Sequence, residues 1–212
     1  TFTGDNGEES ADSVPFITTP KNTAVQPVIE YRWTDDLKEI PYYRYGDSQQ
    51  AFFESWDKSQ APFAIIEGSA ATFLVPICDR NNILNSSYGN KKEVYRFKTL
   101  DEMLDWYASF VKQYDAYSGL DYYAKDPWNQ DIRAKFFIKA NAHGAGQAYY
   151  TTDHSAYNGK SLETYLVRDW LSLHEFGHGY EGAIAAQENP FVETTNNILG
   201  YYFEPTYRPA ED

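Results

Sequence analysis

The chain is poor in the residues that staple small proteins or crowd into metal clusters. Its 212 residues include one cysteine, Cys78, one methionine and four histidines. A single cysteine excludes a disulfide within the chain and any Cys-rich metal site. The compartment stays open on that count, because a chain of this length can bury a sizeable core without disulfides. No apolar run approaches the ~18–20 residues of a membrane span, so no membrane insertion is expected. Positive charge is also scarce: 18 Lys and Arg stand against 31 Asp and Glu, a net charge of −13. Such a surface repels nucleic-acid phosphate and anionic lipid, which argues against nucleic acid as a partner.

Aromatic residues are abundant. They make up 17% of the chain, with 19 Tyr and 5 Trp, while charged residues are 23%, a globular balance and not a disordered one. Residues 1–27 are polar, punctuated by proline and without period, and read as an extended arm or linker. The strand-like "VIEYRW" (28–33) follows, then Asp47 as a helix N-cap with Gln50 three residues on. "FAIIEG" and "ATFLVPI" read as neighbouring strands. Thr99 and Glu102 form a capping box for a helix over 99–118 that Gly119 stops. "AKFFIKA" (134–140) reads as a strand, and "HGAGQAYY" (143–150) as a Gly-rich approach to another. Ser161 is expected to cap a helix running to about 187; Asn189-Pro190 breaks the chain, and a last helix starts near Val192. The expected fold class is α+β: a mixed β-sheet part over 28–160, then a zincin-like helical pair over 161–212 that carries the His-Glu-x-x-His motif.

Two of the four histidines lie in "WLSLHEFGHGYEG" (170–182). Residues four apart share a helix face, so His174 and His178 can aim ring nitrogens at one point. A catalytic zinc keeps three protein ligands and leaves a fourth position for water. Glu175 sits about 100° around the helix, beside the metal face, where a carboxylate can reach that water without displacing it. Gly177, Gly179 and Gly182 let another backbone come close.

The third ligand is open among Glu181, Glu188, Glu193 and Glu204. Glu181 is a turn beyond the metal level and would have to bend back. A helix folding back antiparallel after the Asn189-Pro190 turn would set Glu193 opposite the imidazoles, which favours it. Asn197, four residues later on the same face, or Asn196 beside it, can accept the other N–H of a ligating imidazole. Gly144 and Gly146 let a substrate backbone approach, Tyr149 or Tyr150 is placed to stack on a sugar, and Tyr180 is a further candidate substrate contact. Donors to a developing oxyanion are open among Tyr180, Tyr201, Tyr202, His143 and His154.

With these residues assembled, the chain resembles the enhancin and enhancin-like metallopeptidases, the M60 group of gluzincins. The family pattern is His-Glu-x-x-His, a variable spacer, then Glu; here it stands as "HEFGHGYEGAIAAQENPFVE", with 14 residues between His178 and Glu193. "ETTNNI" around the third ligand and the run-up "YYRYGDSQQAFFESWDKSQAPFAIIEG" are similar too. The resemblance implies one zinc ion per chain on His174, His178 and Glu193, with Glu175 as the catalytic base. It implies a zinc metalloendopeptidase acting on mucin-type O-glycosylated proteins, secreted or packaged in a virion or occlusion body. Two alternatives are a zinc peptidase of other specificity and a glycan-binding or structural module with a vestigial metal site. Family catalytic domains continue into a helical region, whereas 19 residues follow Glu193 here. The chain therefore reads as a fragment, a processed part of a longer polypeptide, or a truncated relative.

Overall fold

A computed structural model describes residues 38–86, 93–121, 123–130, 135–141, 147–151, 154–181 and 192–207, together with 14, 28 and 30. The expected arm and the expected strand over 28–33 lie outside the described residues apart from those last three. In chain order the elements are β1 (Tyr42–Arg44), α1 (Gln49–Ser59), β2 (Phe63–Glu67), β3 (Ala71–Pro76), α2 (Leu100–Tyr117), β4 (Phe136–Asn141), β5 (Ala148–Tyr150), β6 (Ser155–Asn158), α3 (Trp170–His178) and α4 (Val192–Tyr207). The six strands form one sheet in the order β1-β2-β3-β4-β6-β5. It is mixed: β1–β2, β3–β4 and β4–β6 pair in parallel, β2–β3 and β5–β6 antiparallel. The class is α+β.

Alternation along each strand decides which face is buried. One row of paired residues crosses all six strands: Tyr43, Ile66, Phe73, Ile138, Ser155, Tyr150. Five of the six are buried, and Tyr150 packs against the same core. Helices cover this face. Tyr43 meets Phe52 of α1 edge-on at 5.6 Å, and Phe73 meets Tyr107 of α2 at 4.9 Å.

α2 forms as its sequence dictates. Thr99 accepts the Glu102 N–H at 3.0 Å, and Gly119 leaves the helix at φ +70°. Its face of Leu100, Met103, Leu104, Tyr107, Phe110 and Tyr114 is buried. The Glu102 carboxylate reaches back to the N–H of Lys98, one residue before the expected partner, and pairs with Arg168 at 2.6 Å. The start of α1 differs from the expected one. Ser48 is the N-cap, accepting the Ala51 N–H at 3.2 Å, while Asp47 accepts the Arg44 N–H at 2.9 Å and closes the preceding turn. Gln49, the first residue of α1, accepts the Leu100 N–H at 2.9 Å and so caps a second helix.

Ser161 does not begin the metal helix. Its hydroxyl donates to Asp79 at 2.6 Å, and the same carboxylate accepts the Leu162 N–H. Val167 then bridges antiparallel to Arg96, which pulls the backbone out of helix. α3 starts only at Trp170, capped by Asp169, which accepts the Leu171 N–H at 2.8 Å.

Asp79 is fully buried, and these hydrogen bonds tie the loop after β3 to the approach to α3. Asp79→Ala strands the Leu162 N–H inside the protein. Chemical denaturation should show a loss of about 2–3 kcal/mol.

Candidate metal centre

α3 runs for nine residues and ends at His178, well short of 187. Glycine at 177 and 179 weakens helix continuation, and Gly179 turns against the sheet. A Cβ there would lie 2.9 Å from the Phe136 ring and 3.0 Å from the Tyr150 hydroxyl. Gly177 serves the opposite contact. A Cβ on it would meet the Cα and Cβ of Asn196 at 2.7 Å, so α4 rests directly on the α3 backbone. Leu173 and Phe176 fill the core between α3, α4 and α2.

That contact brings three side chains together. Donor atoms of His174, His178 and Glu193 all lie within 4.8 Å of one another. Glu193 Oε2 is 3.2 Å from His174 Nε2 and 3.7 Å from His178 Nε2. The imidazoles stand at 89°, with centroids 4.9 Å apart. Both are largely covered, whereas the Glu193 side chain is 72% exposed, so the cluster opens to solvent on the α4 side.

Outer hydrogen bonds set the ring nitrogens. Asn197 Nδ2 donates to the Glu193 carbonyl, which leaves its Oδ1 to accept from His174 Nδ1 at 2.9 Å. His178 Nδ1 lies 2.7 Å from a Glu181 carboxylate oxygen. With both Nδ1 atoms committed as donors, both Nε2 lone pairs face the cluster. The two Nε2 atoms and the Glu193 carboxylate thus converge on one point, as ligands of a single cation do. The donor set of two imidazoles and a carboxylate fits zinc.

Glu175 is 4% exposed, and its Oε2 has no hydrogen-bond partner among the described residues. Burial raises its pKa to about 7; His174 opposes the shift and Glu193 adds to it. A buried carboxylate with a free oxygen beside the cluster is equipped to take up and return a proton.

Several expected roles change with the geometry. Glu181 turns away from the cluster centre and orients His178 from behind. The sequence reading missed this role, although "HGYE" sets Glu181 only three residues past His178, within reach across the turn that ends α3. Glu204, on α4, is outside the ligand cluster. Tyr180 is no substrate contact: it is fully buried, and its hydroxyl donates to Asp115 at 2.8 Å and to the Val111 carbonyl at 3.1 Å, tying the turn after α3 to α2. Tyr149 alternates with Tyr150 and so lies on the sheet face away from α3. There its hydroxyl joins Asn141 and His154. Tyr201 and Tyr202 are exposed on α4, Tyr202 against Tyr117 at 5.5 Å. Asn196 is fully buried beside the imidazoles. Gly144, Gly146, His143 and Glu188 lie outside the described residues.

A mixed sheet backing two helices that present paired imidazoles, a carboxylate and an intervening glutamate is the arrangement of a metallopeptidase. The chain belongs to the peptidase M60 family, enhancin and enhancin-like, whose model matches residues 38–211. It is 26% identical to the viral-enhancing factor of Trichoplusia ni granulosis virus over 91% of this chain, and 24% identical to that of Pseudalatia unipuncta granulosis virus over the same share. The chain spans about a fifth of the length of these relatives, 20% in each case. Among solved structures it shares the fold of the M60 catalytic domain of ZmpC from Clostridium perfringens, solved in complex with the sialyl T antigen. The TM-score is 0.58 at 18% identity, over 81% of this chain and 33% of that one. A metallopeptidase from Bacteroides thetaiotaomicron matches with a TM-score of 0.58 at 15% identity, over 80% of this chain and 27% of that one.

Gly177→Ala forces α4 outward, because the new methyl meets main chain and not a flexible side-chain tip. Metal analysis of the purified variant should show markedly reduced zinc with the α2–sheet core still folded by circular dichroism. Full zinc occupancy would mean that the interhelical contact does not govern the ligand set.

Proposed function

We propose that this chain is the metal-binding part of a zinc endopeptidase that cleaves O-glycosylated, mucin-type proteins. The observation that carries the reading is the convergence of His174, His178 and Glu193 beside a buried carboxylate with a free oxygen. His174, His178 and Glu193 would hold the ion, one per chain. Zinc in such a site supplies Lewis-acid polarisation of water and of the scissile carbonyl.

The chain's own residues do the rest. Glu175 accepts the proton of the attacking water at its free oxygen and returns it to the leaving amine. Its low exposure keeps bulk water from competing for that proton. Asn197 and Glu181 hold the imidazoles in the ligating tautomer, as outer-layer acceptors do for metal-bound histidines. β5, at the edge of the sheet beside α3, is the strand along which an extended peptide would lie. Gly144 and Gly146, just before it, would let that backbone approach.

Support for a glycoprotein substrate comes from the relatives: one structural neighbour is held in complex with the sialyl T antigen. The viral-enhancing factors support a place in a virus particle or its occlusion body, with secretion the alternative. Among the described residues no helix is long and apolar enough to cross a membrane.

In the complete protein, Glu175→Gln should lower hydrolysis of an O-glycosylated substrate by roughly 10²–10⁴-fold. Zinc should stay near one per chain. Unchanged turnover would remove Glu175 as the base, and equal cleavage of the enzymatically deglycosylated substrate would remove the glycan from the specificity. Glu193→Ala should instead release the metal, read by elemental analysis after dialysis; retained zinc would exclude Glu193 as a ligand.

A further inference from the structure

Asn196 takes no part in the scheme above, yet it is fully buried and reaches into the ligand cluster. Its amide orientation follows from its surroundings. The Oδ1 accepts the N–H of Asn197 at 2.8 Å, so the Nδ2 must face the imidazoles. That nitrogen lies 3.0 Å from His178 Nε2. It is 3.2 Å from both ring nitrogens of His174, which sets it over the face of that ring and not along either lone pair. Turning the amide over would set its NH₂ against the Asn197 N–H and lose that bond, so the donor end stays inward.

An imidazole nitrogen has one in-plane lone pair. At His178 Nε2 that pair can receive the Asn196 N–H or coordinate a cation, but not both. The remaining donors do not relieve the conflict, because His178 Nδ1 is already committed to Glu181. We infer that Asn196 is a built-in competitor for the metal: its side-chain amide satisfies His178 Nε2 and must withdraw when a cation takes that lone pair. The inference rests on the ligand assignment above and assigns Asn196 as a positioning residue, not a catalytic one.

Two consequences follow from this competition. While the amide is in place, it holds the His178 ring in its ligating orientation without a metal and leaves no unpaired acceptor in a buried place. In exchange, metal binding must break that hydrogen bond. Asn196 therefore weakens affinity while preserving the shape of the site, which favours uptake and release of the ion over permanent retention.

Asn196→Leu keeps the volume and removes the donor, and Asn196→Ala guards against a steric failure of leucine. With the net value of one neutral hydrogen bond at about 1 kcal/mol, zinc affinity by competition with a chelating dye should tighten about 3- to 10-fold. Melting temperature should fall more in the chelator-treated variants than in the zinc-loaded ones. Long-range ¹H–¹⁵N spectra of the chelator-treated wild type should show a hydrogen-bonded His178 Nε2 and an Nδ1–H tautomer. The Nε2 signal should move towards the free value in Asn196→Leu.

Weaker or unchanged zinc affinity in both variants, or equal loss of melting temperature with and without zinc, would overturn the inference while leaving the ligands in place. Failure of the wild type itself to bind zinc would overturn the ligand assignment and this inference with it.

Discussion

Main chain of α4 lies against main chain of α3 where Asn196 covers Gly177, and the metal cluster is a consequence of that contact. Helices with ordinary side chains between them keep their axes 8–10 Å apart. Here a single methyl at 177 would already sit 2.7 Å from two atoms of Asn196. Gly200, facing Trp170 one turn further on, allows the same closeness; a Cβ there would be 3.0 Å from the indole. Only at this separation does the short Glu193 side chain reach the two imidazoles. Because the helix seam itself sets the reach, the connection between His178 and Glu193 need only bring α4 back, and its length carries no geometric information.

Around this seam the protein assigns separate tasks to separate layers. The sheet and α2 fix α3 through buried hydroxyls: Tyr107 donates to the Tyr165 carbonyl at 2.8 Å, and Tyr114 to the Leu173 carbonyl at 3.1 Å. Asn197 and Glu181 then fix the imidazole rings, and Glu193 completes the cluster from the open side. Glu175 is left apart from all of them, with one oxygen unclaimed. Rigidity is thus supplied from the core outward, and the carboxylate with an unclaimed oxygen is held away from bulk water.

Much of this was legible in the residues. The capping box at Thr99 and Glu102 and the stop at Gly119 marked α2 because they rest on local chemistry. The His-Glu-x-x-His spacing put two imidazoles on one face for the same reason. The start of α3 was not legible: Ser161 has the chemistry of an N-cap, but a buried carboxylate 82 residues earlier claims its hydroxyl. Tyr180 failed likewise, since nothing nearby in sequence shows that Asp115 takes its hydroxyl. Glu181 is a poor ligand by its spacing, yet a carboxylate too far round to bind metal is well placed to bind the back of His178. Sequence spacing speaks for contacts within a turn or two, whereas partners across the fold must be seen.

The abundance of tyrosine also acquires a meaning from the α2–α3 contact. Tyr107, Tyr114 and Tyr165 are buried, and loss of hydration holds each phenol well above its ordinary range. In an unfolded chain the same groups would ionise near pH ~10. The folded state is therefore favoured below that point and loses its advantage as alkalinity increases beyond it. Burial keeps these phenols protonated beyond the pH at which exposed tyrosines ionise. Their ultraviolet absorbance is thus an intrinsic gauge, silent until the scaffold beneath the histidines gives way.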